Sequence, residues 1–158
     1  MIEIQINTEA MERALDKAAA GLQDTEPLMR MVAARLHRAV DDNFSAGGRP
    51  KWAGIKRPGQ VLVDTGHLRN SITEQSDSHS AVVGTNVSYA PYLHYGTQPY
   101  TIRPKKQKRL YWAGARHPVK QVQHPGLKAR PFMMLADGDE ADLVDSVQDY
   151  LAVVCGLS

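Results

Sequence analysis

The sequence predicts an α+β fold on three observations. One segment repeats apolar residues every four positions, as an amphipathic helix does. Several short stretches alternate or run apolar, as strands do. The two kinds do not alternate in the order a doubly wound parallel sheet requires. The expected architecture is therefore N-terminal helices and a C-terminal helix packed on a small, mainly antiparallel sheet, with a long basic hairpin or loop. At 158 residues the chain fits a single domain, 1–158, because a domain near this size hides roughly 70% of its unfolded surface in one core.

Each element has its own signal. Ile2, Ile4 and Ile6 share one face at period two, which predicts a short half-buried strand. Thr8 is placed to cap a first helix running through Met11, Ala14, Leu15, Ala18 and Ala19 to Gly21. Thr25, Glu26 and Pro27 mark a second start, since proline is tolerated in the first turn, where its missing N–H would have no partner. The stripe Leu28, Val32, Leu36, Val40 and Phe44 then defines the strongest helix, and Gly47-Gly48 ends it. From Gly47 to Gly59, glycines and prolines surround Trp52, which is expected to anchor an irregular loop on the core. Val61-Leu62-Val63 reads as a brief strand or extended piece, and Asp64 to Ile72 as a turn entering a helical turn. Ala81 to Thr85 and Tyr89 to Tyr95 read as sheet or sheet edge, and Ile102 to Trp112 as a hairpin with a basic tip. Asp137 or Asp139 is expected to cap a last helix that buries Leu143, Val144, Val147, Tyr150, Leu151 and Val154.

Composition narrows the class. The lone Cys155 has no internal partner for a disulfide, so a reducing compartment and a small buried or half-buried thiol are expected. The N-terminus lacks a basic start followed by a long apolar core, and no apolar run approaches the roughly 20 residues of a membrane span. A soluble, unexported protein with no membrane partner is the expectation.

Chemical motifs are weak. Val61-Leu62-Val63-Asp64-Thr65-Gly66 matches the hydrophobic-Asp-Thr-Gly signature of retroviral-type aspartic proteases, in which paired carboxylates share a proton. His67 and the short spacing of twenty positions to Gly84 depart from that pattern. An Asp64 side chain closing a turn onto backbone N–H groups is the simpler reading. The histidines at 37, 67, 79, 94, 117 and 124 show no metal-ligand spacing. His94 reads as a strand residue whose ring meets a backbone carbonyl, and His124 as a turn residue. No Gly-x-Ser-x-Gly turn and no phosphate loop occur. Neither an enzyme nor a cofactor is expected.

Charge distribution carries more. Ser78 to Ala136 contains no acidic residue, and Arg103 to Arg130 holds nine Lys and Arg. Asp137 to Ser158 holds six acids and no Lys or Arg. The basic loop of Arg103, Lys105, Lys106, Lys108, Arg109, Arg116 and Lys120 has Tyr100, Tyr111 and Trp112 interleaved. It could meet nucleic acid through phosphate neutralisation and stacking, or remain a solvated loop. A further reading places it against the acidic helix of a neighbouring copy, through Asp139, Glu140, Asp142, Asp145 and Asp149. This contact ranks ahead of nucleic acid. Tyr89, Tyr92, Tyr95 and Trp112 are candidate anchors, with burial in their own core expected for about half of them.

Four phrases in order carry a family resemblance: Gly48 to Trp52, Leu62 to Ser71, Tyr89 to Thr97, and His124 to Phe132, followed by the acidic helix. Together they resemble the bacteriophage virion-morphogenesis family, the tail-completion or neck proteins of the G type in Mu-like phages and related tail components of lambdoid phages. Ala129 stands where proline is frequent, and the basic hairpin is longer than in Mu-like members. The resemblance implies a ring-forming subunit at the head-tail junction that lets a tail join a DNA-filled capsid. It implies other connector and tail proteins as partners, possible DNA in the channel, and assembly in the host cytoplasm before residence in the virion. No cofactor or catalysis comes with it.

Overall fold

A 21-residue helix organises the molecule. In the computed structural model, which describes residues 9–55, 57–105, 108–112 and 115–156, α1 is Glu9–Gln23 and α2 is Glu26–Ala46. The expected strand at Ile2 to Ile6 and the Thr8 cap lie outside the described residues. The four-residue stripe holds, and α2 buries Val40 and Phe44 with Ala33 and Ala39. Its start uses Asp24, whose Oδ1 accepts the Glu26 N–H at 3.1 Å, while the Thr25 hydroxyl donates elsewhere, to the Ser78 carbonyl. Its end is the predicted glycine stop. Gly47 turns left-handed at φ 68°, donating to the Phe44 carbonyl at 3.1 Å, and Gly48 donates to that of Asn43 at 2.8 Å.

Helix α1 does not stop at Gly21. A Cβ there would lie 2.0 Å from Val154 Cγ1, so the glycine is a close-packing site between α1 and α5 (Asp139–Cys155) rather than a terminator. In α5 the predicted residues Leu143, Val147, Tyr150, Leu151 and Val154 are half-buried. Val144 is 52% exposed instead, and Ser146 fills the seam, its hydroxyl donating back to the Asp142 carbonyl at 2.6 Å. The last helix begins at Gly138 with no side-chain cap.

Between these helices run α3 (His67–Asn70), β1 (Ile72–Ser76), β2 (Ala81–Thr85), α4 (Ala90–Tyr95), β3 (Tyr100–Ile102) and β4 (Val122–His124). β1 and β2 pair antiparallel from Ile72↔Thr85 to Ser76↔Ala81 and lie against α2. Asp77 closes their turn, its Oδ1 accepting the N–H groups of His79 at 2.7 Å and Ser80 at 2.8 Å, which holds its carboxyl below the usual range. β3 and β4 form a separate antiparallel pair. The α+β class is thus observed.

Two expected strands are not strands. Val61 to Val63 is a turn in which Leu62 takes φ 60° and Val63 donates to the Gln60 carbonyl at 3.3 Å. Leu62 packs against the core from that turn, a tertiary contact the local apolar run does not encode. Tyr89 to Tyr95 forms α4, with Pro91 in its first turn. Ala90 is buried and Leu93 half-buried while the tyrosines face outward, so the period is helical and aromatic strand propensity gives way.

The core gathers Val40, Phe44, Trp52, Leu68, Ile72, Val87, Ala90 and Phe132. Trp52 anchors its loop as predicted: it meets Phe44 edge-on at 5.8 Å, and its Nε1 donates to the Pro131 carbonyl at 3.1 Å. The Leu127 to Phe132 phrase owes its position to this core. It returns from the basic segment past α4, where the Arg130 N–H meets the Leu93 carbonyl at 2.9 Å, and delivers Phe132 between Phe44 and His94.

Candidate functional site

The basic segment is built into an arm longer than the expected 102–112 hairpin. Ile102 pairs with Val122, and an isolated bridge joins Leu110 to Val119. These half-buried apolar residues find partners farther along the chain, which moves the reversal beyond Trp112. Arg109 Nη1 reaches across to the Pro118 carbonyl at 3.4 Å, and Thr101 Oγ1 donates to Gln123 Oε1 at 2.8 Å. Tyr100 stacks on His124 at 4.8 Å, and His124 Nδ1 accepts the Gly126 N–H at 3.0 Å, so His124 shapes the turn that closes the arm.

Two glycines fix the arm to the body. Gly96 (φ 76°) and Gly126 (φ 86°) let backbones touch: a Cβ on the first would lie 2.5 Å from the Leu127 carbonyl oxygen, on the second 2.2 Å from that of Thr97. Thr97 accordingly bonds Leu127 twice, its N–H donating to the Leu127 carbonyl and its hydroxyl oxygen accepting the Leu127 N–H, both at 2.9 Å. Gly126→Ala is expected to cost about 1–3 kcal/mol, through the left-handed backbone and the contact with Thr97. It should also speed amide exchange at Thr97 and Leu127. Exchange there as slow as in the unaltered protein would show that this contact does not hold the arm.

Arg103, Lys105, Lys108, Arg109, Arg116 and Lys120 are all exposed on this arm; Lys106 lies outside the described residues. Tyr111 and Trp112 stand beside them, 67% and 50% exposed. Of the other aromatic candidates, Tyr89, Tyr92 and Tyr95 follow one another at three-residue spacing along α4 and are 43%, 59% and 78% exposed. All four candidate anchors face outward, where burial was expected for about half. On α5, Glu140, Asp142, Asp145 and Asp149 are exposed. Asp139 differs: Arg49 holds its carboxylate bidentately at 2.9 and 2.8 Å, and its Oδ2 accepts the Ala136 N–H. It serves the fold and is withdrawn from the exposed acidic face.

Among the motifs that invited chemistry, Asp64 is 77% exposed with Arg57 at 3.6 Å, and Thr65 Oγ1 rather than Asp64 accepts the turn's His67 N–H. His94 sits on α4, not on a strand. Its Nδ1 accepts the Met133 N–H at 3.4 Å instead of meeting a carbonyl, and burial lowers its pKa. Among the described residues no cluster of His, Cys, Asp or Glu is arranged to hold a metal, and no helix is long and apolar enough to cross a membrane. Cys155 is half-buried, as expected. Sequence reasoning missed Val144 and Val153, 52% and 59% exposed beside the α5 acids. Helical spacing finds them only once the buried seam is known.

An α+β body carrying charged and aromatic surface outward, with the ordered phrases building its core and arm root, is the form taken here by a phage morphogenesis protein. Residues 6–152 match the model of the phage virion morphogenesis family, and the chain belongs to that family. It is similar in particular to the Mu-like prophage FluMu G protein 2 of Haemophilus influenzae, 36% identical over 156 residues that span 98% of this chain and 99% of that protein. No solved structure matches it.

Proposed function

We propose that this protein is a structural, non-enzymatic subunit of the phage head-tail junction, a neck or tail-completion ring through which a tail joins a DNA-filled capsid. Family membership and the likeness to a Mu-like prophage G protein support a virion role. The observation that carries the finer reading is the pairing of an outward cationic, aromatic arm with an anionic last helix on one small body. A ring subunit needs surface for a neighbour on each side and for a partner along the axis, and a projecting arm supplies reach at little cost to the core. The other connector and tail proteins are its expected partners, in the host cytoplasm during assembly and then in the virion.

Mass measurement of the purified protein over a concentration series, with subunit labelling in imaged virions, tests this. Higher-order assemblies and label at the junction are the expected results. A monomer at every concentration together with label absent from virions would overturn the reading. A second reading is favoured by the exposed Tyr111 and Trp112 among the arm's cations: a DNA-binding module using 103–120, whose affinity would fall steeply with salt.

A further inference from the structure

We propose that the basic arm of one copy docks on the outer face of α5 of the next copy. This rests on the ring reading above and names the contact that would build it. The ion pairs formed among the described residues include Arg30–Glu26, His37–Glu74, Arg49–Asp139, Arg57–Asp64 and Arg69–Asp41. None uses an arm cation, and none uses Glu140, Asp142, Asp145 or Asp149. Among the described residues, one chain thus carries two exposed surfaces of opposite charge that form no ion pair with each other.

The acidic face has an order that fits an elongated partner. Ala141, Asp145, Asp149 and Val153 recur every fourth residue along α5, are all exposed, and so form one solvent-facing stripe. Asp142, also exposed, borders this stripe and lines the groove between α2 and α5 with Arg35 and Arg38, so the outermost charge of the stripe belongs to Asp145 and Asp149. Exposed charge pairs are weak alone, and apolar contact must accompany them. The arm offers Tyr111 and Trp112 for this, and α5 offers Val144 and Val153. Arm and α5 are different patches of one surface, so the contact is head-to-tail and can propagate around a ring.

Charge reversal tests the contact on the full chain. An arm variant carries Lys105→Glu, Lys108→Glu and Arg109→Glu; a helix variant carries Asp145→Lys and Asp149→Lys. These positions are exposed, so both variants should melt like the unaltered protein. In sedimentation velocity at low salt, each alone is expected to self-associate on the order of 100-fold more weakly, because like charges then face each other. An equimolar mixture should recover association, since the reversed arm of one matches the reversed helix of the other. Salt at about 0.5 M should weaken association of the unaltered protein. Either variant associating like the unaltered protein, or a mixture that stays apart, overturns the arm-to-helix contact and leaves the ring standing. An unaltered protein that is monomeric throughout and absent from virions overturns both. Loss of DNA retention by an arm variant whose assembly is intact would assign the arm to nucleic acid instead.

Discussion

Phe132→Ala is expected to cost about 3–5 kcal/mol and to lower the melting temperature by roughly 10 °C. The ring is 1% exposed, lies 5.3 Å from Phe44, and meets the His94 ring nearly perpendicular at 5.2 Å. A cavity there cannot readily collapse, because the backbone around it is pinned. Asn43 donates to the Phe132 carbonyl at 2.9 Å, Trp52 to that of Pro131 at 3.1 Å, and the Arg130 N–H to Leu93 at 2.9 Å. Phe132→Leu, which keeps most of the volume, should cost about 1 kcal/mol. Thermal melts of the two variants check this. An alanine variant melting within two or so degrees of the unaltered protein would mean that the return segment is not the core wall described above. The effect should also reach the outer surface, because the same segment carries α4 with its tyrosines and closes the root of the arm.

What the sequence made legible follows the strength of local signals. Helix α2 was readable because a repeat of four over five positions, with a glycine pair after it, leaves little else for the segment to be. Trp52 as a loop anchor was readable because an indole among glycines and prolines has only the core to bury against. Gly21 was misread as a stop, since its reason lies 133 residues away at Val154. Tyr89 to Tyr95 was misread because aromatic residues favour strands on average, whereas here Ala90 and Leu93 seek the core at helical spacing. At the surface, the segregation of charge located the arm and the acidic helix, but composition could not say that Asp139 faces inward. That fact depends on Arg49, a residue whose loop position carries no periodic signal.

The buried polar cluster behind Asp139 was not visible in sequence, and Asn43→Ala is expected to destabilise the protein by about 3 kcal/mol. Asn43 is fully buried in α2 and has every hydrogen-bonding group in use. Its Nδ2 donates to the carbonyls of Phe132 at 2.9 Å and Met134 at 2.8 Å, and its Oδ1 accepts from Arg49 Nε at 2.9 Å. Arg49 in turn reaches the Ala39 carbonyl and both oxygens of Asp139. One side chain therefore ties the end of α2 to the return segment and, through Arg49, to the first turn of α5. Truncation strips two carbonyls of their donor and frees a guanidinium held in place, and each unsatisfied group costs about 1–3 kcal/mol. Asn43→Asp separates hydrogen bonding from shape. Its carboxylate would keep Arg49 but turn an acceptor toward two carbonyls, so the variant should lose stability although its side chain keeps the shape of asparagine. Urea unfolding of Asn43→Ala, Asp139→Ala and the double variant should give a combined cost smaller than the sum, since both changes break one network. Additive costs would mean that the cluster does not act as a unit, and that the α5 surface is positioned by its apolar seam alone.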